Sequence, residues 1–198
     1  MKLLALDLMD TVVQDPFFTR VPRLLDRSVE QVFEIMARGA WVAFETGALD
    51  EAAYLARMYA DDVTTTDLPP PEQVRAAIVG NYRFVAGVEQ LLVDLQRGRV
   101  TTWALSNYSP WSEIMRRALG LDRYFAGYAI SWRTGFRKPD PAAFRALWQA
   151  AGGGPDSWVF VDDRQTNIDA ACSLGMDGVL FRDAVQLRGA LRALRMLR

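Results

Sequence analysis

The residues able to do chemistry in this 198-residue chain are few, and they fall into four short stretches. Asp7 closes the apolar run Leu3-Leu4-Ala5-Leu6, with Met9, Asp10 and Thr11 just beyond it. Ser106 and Asn107 follow Val100-Thr101-Thr102-Trp103-Ala104-Leu105, and Lys138 stands in Arg137-Lys138-Pro139-Asp140. Asp162-Asp163 closes Trp158-Val159-Phe160-Val161, with Asn167 a few residues on. The chain contains no histidine, which removes Ser-His-Asp and Cys-His catalysis and every imidazole-ligated metal site. Chemistry here must rest on carboxylates, lysine, hydroxyls or a hard, oxygen-seeking metal ion.

Each stretch alone has a plainer reading. Asp7 could cap a helix after a buried strand, Ser106-Asn107 could be a strand-to-helix turn, and Lys138 a solvated loop residue. Asp162-Asp163 is harder to dismiss, because adjacent buried carboxylates without a cation repel each other and lose hydration. Asn167 divides between a helix start and a partner for those acids. Phe17, Phe18, Trp41 and Phe44 read as packing, with one of them free to line a substrate pocket.

What must position these residues is a set of strands ending at each stretch. Short apolar runs too brief for ordinary helices predict a first strand that delivers Asp7 at its carboxyl end, and further strands at 100–105, 127–131, 158–162 and 178–181. Helical spacing predicts helices from 87 to 97, then at about 111–119, 140–151, 166–174 and 184–197. Such alternation implies an α/β fold with a doubly wound parallel sheet, whose strand ends converge on one edge where ligands bind. Between residues 14 and 98 no strand is convincing. A helix is expected over 21–38, an aromatic connector at 41–46, a helix at 50–59 capped by Asp50, a proline-rich loop to Pro71, and a helix from about 72 to 84. The expected organisation is an α/β core of residues 1–13 and 87–198 with a helical cap at 14–86.

The four stretches, in this order, resemble the motifs of the haloacid dehalogenase-type hydrolases. The likeness of the core covers about residues 1–14 and 87–182, and residues 14–86 fit the helical cap type inserted between the first two motifs. Ile130-Ser131 through Asp140, and Phe160 through Ala171, are most similar to the sugar-phosphate phosphatase and epoxide-hydrolase N-terminal phosphatase branch. The resemblance implies a Rossmann-like core and a Mg²⁺-dependent phosphoric monoester hydrolase acting on a small phosphorylated metabolite. It implies that Asp7 is the nucleophile, forming an aspartyl-phosphate, and also a metal ligand. Asp163 would ligate Mg²⁺, with Asp162 as a ligand or holding a water, and Met9 would supply a main-chain carbonyl. Lys138 would neutralise Asp7 and the transferring phosphoryl group, while Ser106 and Asn107 would hydrogen-bond phosphate oxygens.

One position departs from the pattern. The family's first motif carries a second aspartate two residues after the nucleophile, which protonates the leaving oxygen and then activates water; Met9 stands there. Asp10 is one residue late, where a side chain generally turns away, so the proton-transfer role is not assigned to it. Three activities therefore stay open: a phosphatase with weakened or restricted activity, a 2-haloacid dehalogenase-type carbon–halogen hydrolase whose leaving halide needs no proton, or a silent phosphate- or partner-binding member. Asp162-Asp163 argues against the dehalogenase, which needs no Mg²⁺.

Composition sets the remaining bounds. Net charge of −1 gives no bulk electrostatic case for nucleic acid, and the arginines from Arg182 onward alternate with leucines as a solvated helix face would. No apolar run approaches a membrane span, and no secretory cleavage pattern follows the N-terminus. The single cysteine, Cys172, excludes an internal disulfide and is expected to be buried packing. A cytoplasmic protein, monomer or homodimer, is the expectation.

Overall fold

The computed structural model describes residues 2–197. Its centre is a five-stranded, all-parallel sheet built from β1 (Leu3–Leu6), β4 (Thr102–Ser106), β5 (Gly127–Ile130), β6 (Trp158–Asp162) and β7 (Asp177–Leu180), in the order β5-β4-β1-β6-β7. The remaining strands, β2 (Val13–Gln14) and β3 (Arg83–Phe84), form a separate antiparallel ribbon. Near-continuous apolar runs make these central strands because both faces of the sheet are covered. Leu4, Leu6, Val159 and Val161 belong to the core on one face, whereas Ala5, Trp158 and Phe160 belong to the core on the other. Parallel neighbours need crossovers, and helices supply them.

Those helices are α6 (Val88–Arg97), α7 (Ser112–Leu119), α8 (Ser131–Thr134), α9 (Pro141–Ala151), α10 (Gln165–Ser173) and α11 (Ala184–Ala193). Strand order reverses at β1, which has β4 on one side and β6 on the other. A crevice forms at such a reversal, at the carboxyl ends of the strands. Asp7, Ser106 and Asp162 all lie at that edge, on β1's exit and at the last residues of β4 and β6.

Five helices are inserted between β2 and β3: α1 (Pro16–Leu25), α2 (Val29–Ile35), α3 (Arg38–Glu45), α4 (Glu51–Leu55) and α5 (Pro71–Val79). The insert's buried Val21, Val32, Phe44, Met58 and Ile78 join the same core as Leu4 and Leu6.

Several local expectations are corrected. The helix expected over 21–38 is two helices, because Asp26 turns left-handed at φ 49° and Ser28 starts α2 with a reciprocal capping box to Gln31. The connector expected at 41–46 lies inside α3, whose cap residue Ala37 offers no side-chain hydrogen bond and so left no starting signal. The expected helix ending near 84 stops at Val79, and Arg83–Phe84 instead pairs with Val13–Gln14. Cys172 is exposed on α10 rather than buried.

Candidate active site

Lys138 holds the centre of the crevice. Its Nζ donates to Asp7 Oδ1 at 2.7 Å and to Asp162 Oδ2 at 2.6 Å, and all three residues are buried. A buried cation between two carboxylates neutralises charge that would otherwise be very costly to desolvate. Lys138 reaches this point from the loop between α8 and α9, and Asn107 fixes that loop. Asn107 Oδ1 accepts the Lys138 N–H at 2.7 Å, and Asn107 Nδ2 donates to the Lys138 carbonyl at 2.8 Å. The Lys138–Pro139 peptide bond is cis. Of the two groups of Asn107 expected to meet phosphate, backbone or side-chain amide, the amide is thus engaged with the Lys138 backbone.

Asp162 is equally committed. Its oxygens accept from Lys138, from the Arg164 N–H at 2.8 Å, and from Asn167 Nδ2 at 2.9 and 3.0 Å. Asn167 is therefore a partner of the acid, not only a helix-start residue. Asp163 is half-buried beside it. Oxygens of Asp7, Asp162 and Asp163 lie within 4.8 Å of one another, a spacing that fits a divalent cation on hard oxygen donors. Burial, with Asp162 and Asp163 nearby, pushes the Asp7 carboxyl up to about 6 although Lys138 pulls it down. Burial and then the charge of Asp162 push Asp163 up as well, against Arg164.

Two hydroxyls at this edge, Ser106 Oγ and Thr11 Oγ1, are buried without a protein hydrogen-bond partner. An unpartnered buried hydroxyl costs about 1–3 kcal/mol and is uncommon in folded proteins. The crevice continues into a cavity of about 310 Å³ that lies between core and insert. Asp7, Met9, Asn107, Lys138, Asp163 and Asn167 line it from the core, and Phe17, Phe18, Phe33, Met36, Trp41 and Val42 line it from the insert together with Asp15, Arg38 and Glu45. Three of the four aromatics expected as packing, Phe17, Phe18 and Trp41, thus line the cavity, whereas Phe44 is fully buried, stacked on Tyr54. Arg137 of the core, also in the lining, pairs with Glu45 of α3 at 2.5 Å.

The chain matches the family model for haloacid dehalogenase-like hydrolases over residues 1–175. It belongs to that family. A curated relative, flavin mononucleotide hydrolase 1 of Arabidopsis thaliana, named as chloroplastic, is 33% identical over 185 residues, which span 93% of this chain and 74% of the relative. The phosphoglycolate phosphatase of Mesorhizobium japonicum is 33% identical over 100 residues, 50% of this chain and 44% of that one. Among solved structures, a family enzyme from Bacteroides thetaiotaomicron in complex with magnesium and inorganic phosphate superposes with a TM-score of 0.69. That likeness has 20% identity and covers 93% of this chain and 96% of the other, so it speaks to the fold.

The structure brings Asp7, Met9, Asn107, Lys138, Asp162 and Asp163 of the expected site residues of this family member to one crevice, while Ser106, the last residue of β4, is buried beside Asn107 in sequence. Asp10 is exposed, has φ 54°, and turns its Oδ1 to accept the Asp15 N–H at 2.9 Å. Sequence reasoning missed Asp15 itself, which lines the same cavity. Its only signal was the Asp15-Pro16 step after Gln14, which reads as a turn-like exit from the first strand. Among the described residues no helix is long and apolar enough to cross a membrane.

Proposed function

We propose that this hydrolase is a Mg²⁺-dependent phosphatase that cleaves a small phosphorylated metabolite through an aspartyl-phosphate on Asp7. One observation carries the reading: a buried lysine bonded to two carboxylates, with a third acid beside them, opening on a cavity that the insert lines with Phe17, Phe18, Phe33 and Trp41. A carboxylate facing a phosphate needs positive charge around it, and the site supplies a fixed cation and hard oxygen donors for another. Asp7, Asp163 and the Met9 carbonyl would hold Mg²⁺, with Asp162 beside them; bound there, the ion supplies charge neutralisation between nucleophile and phosphate. Lys138 keeps Asp7 ionised and neutralises the phosphoryl oxygens. The Ser106 hydroxyl and the Asn107 backbone N–H orient the phosphate. The aromatic lining residues of the insert favour a substrate with a flat body attached to its phosphate, which suits a flavin phosphate of the kind named for the plant relative.

The helical insert, residues 14–86, acts as a cap that excludes water from the reacting centre. The reading also places the work in a cytoplasmic setting on a free metabolite rather than on nucleic acid or at a membrane. A phosphate-release screen across flavin mononucleotide, sugar phosphates, phosphoglycolate and p-nitrophenyl phosphate, with and without Mg²⁺, tests it. Release that needs Mg²⁺ and vanishes in Asp7→Asn is expected. Equal release from wild type and Asp7→Asn overturns the nucleophile, and metal-independent halide release from a 2-haloacid, lost in Asp7→Asn, replaces the phosphatase by the dehalogenase activity.

A further inference from the structure

Met9 leaves the reaction without a side chain to move protons from its usual place, yet an alkoxide is a poor leaving group unless it is protonated. The carboxylates lining the cavity are Asp7, Asp10, Asp15, Glu45 and Asp163. Asp7 is bonded to Lys138, Asp163 sits in the acidic cluster, and Glu45 is paired with Arg137. Asp10 is exposed to solvent and accepts the Asp15 N–H. Asp15 remains. Its Oδ1 accepts the Phe17 N–H at 2.9 Å as the cap of α1, and among the described residues Oδ2 has no hydrogen-bond partner.

We propose that Asp15 moves the protons in this reaction, giving one to the leaving oxygen and then taking one from the attacking water; the assignment rests on the phosphatase reading above. In the first step an Asp7 oxygen bonds to phosphorus as the bond from phosphorus to the substrate oxygen breaks. The proton of Asp15 passes to that oxygen, releasing an alcohol and leaving Asp15 ionised. In the second step a water oxygen bonds to phosphorus, the Asp7–phosphorus bond breaks, and Asp15 takes the water's proton. Asp7 returns to carboxylate, Asp15 to its acid form, and water is the only co-reactant.

The surroundings of Asp15 suit an acid that is neutral before substrate arrives. Burial, with Asp10 and Asp7 adding negative charge, pushes its carboxyl up to about 7, against the Phe17 N–H and Arg164. Tyr82 of the insert and Tyr108 of the core, whose hydroxyls bond each other at 3.1 Å, are the tyrosines near it. Two carboxyls held at one site with unlike surroundings divide the roles of acid and nucleophile. Asp10 is then a positioning residue, because its carboxylate fastens the backbone that carries the acid.

Asp15→Asn tests the assignment, since asparagine keeps the helix-cap acceptor but cannot carry the proton. The Mg²⁺-loaded variant is expected to lose roughly 10²–10⁴-fold in kcat/KM on an alkyl phosphomonoester. On p-nitrophenyl phosphate, whose leaving group departs unprotonated, it is expected to give a stoichiometric burst of nitrophenolate at nearly wild-type rate and then slow turnover. Wild-type turnover by Asp15→Asn on the alkyl substrate, or loss of burst and turnover alike, overturns the assignment. So does an Asp10→Asn variant that shows the burst pattern while Asp15→Asn does not. Absence of Mg²⁺-dependent phosphate release from wild type on every substrate marks failure of the phosphatase reading instead, and removes the reaction Asp15 would serve.

Discussion

Asn107 grips Lys138 by its main chain, accepting its N–H at 2.7 Å and donating to its carbonyl at 2.8 Å. The lysine's side chain is long and flexible, so the precision of its contacts with Asp7 and Asp162 depends on where this backbone is held. Asn107→Ala is expected to cost about 1–3 kcal/mol by stranding both groups. It should also lower kcat more than it raises KM. Thermal melts together with steady-state kinetics check both outcomes, and an unchanged kcat would separate the clamp from catalysis.

Replacing Lys138 by methionine removes the cation between two buried acids. The expected loss is about 3–5 kcal/mol near neutral pH. Lys138 is what pulls the Asp7 carboxyl down, so without it Asp7 moves higher still above about 6. A carboxyl raised in the folded state binds its proton there more tightly than in the unfolded chain, so acidification relieves the penalty. Denaturation midpoints of the variant should approach those of wild type as the pH falls below about 5.

Metal binding should appear as stability. Mg²⁺ at roughly a hundred times its Kd stabilises a folded protein by about 2.7 kcal/mol. Both Asp7 and Asp163 are raised carboxyls, and each must lose its proton to ligate. The rise in Tm on adding Mg²⁺ is therefore expected to grow as the pH passes about 6 and to fade under acid conditions. Asp163→Asn should lose that rise. EDTA should reverse it in wild type.

Asp15 gives a separate signature in stability against pH. Its carboxyl is pushed up to about 7 in the folded chain from an ordinary value of 3.8, which it keeps when unfolded. Between those values the folded chain keeps a proton that the unfolded chain has released, so this group's contribution is full at the acid end and lost as the pH rises to 7. Asp15→Asn should consequently gain on wild type as the pH increases across that window. Urea denaturation at a series of pH values measures the slope.

Phe18 lines the cavity and is 40% exposed, so truncating it disturbs the core little. Phe18→Ala is expected to raise KM for substrates with a large flat body by roughly tenfold, in line with about 1–3 kcal/mol for a lost apolar contact. KM for phosphoglycolate should stay within about twofold, because so small a molecule does not span the cavity. Parallel kinetics on both substrates provide the check.

The sheet and its crevice were legible because buried parallel strands carry unbroken apolar runs and their ends carry the polar residues. Asp7, Ser106 and Asp162 could be placed from that alone. Less was visible where a residue's role depends on which way it turns. Nothing in Asn107 announces that its amide meets the Lys138 backbone instead of a ligand. Asp15 reads as part of a turn, and the structure makes it the cap of α1 with one oxygen so employed. The break at Asp26 had a signal in Ser28 and Gln31, three apart, that a continuous apolar period masked. The ribbon of Val13–Gln14 and Arg83–Phe84 has two residues on each side, too few for any periodicity.

That ribbon has a consequence for the history of such enzymes. The chain leaves the sheet region through Val13–Gln14 and returns through Arg83–Phe84, and these strands lie side by side. Everything between them is strung from one narrow doorway, and no ladder of the central sheet passes through it. Insertions, deletions or wholesale exchange of those helices can recast the binding surface while the reacting carboxylates keep their register. Selection can act on what the enzyme accepts independently of how it cuts, and a designer grafting a foreign insert has two adjacent splice points ready to use.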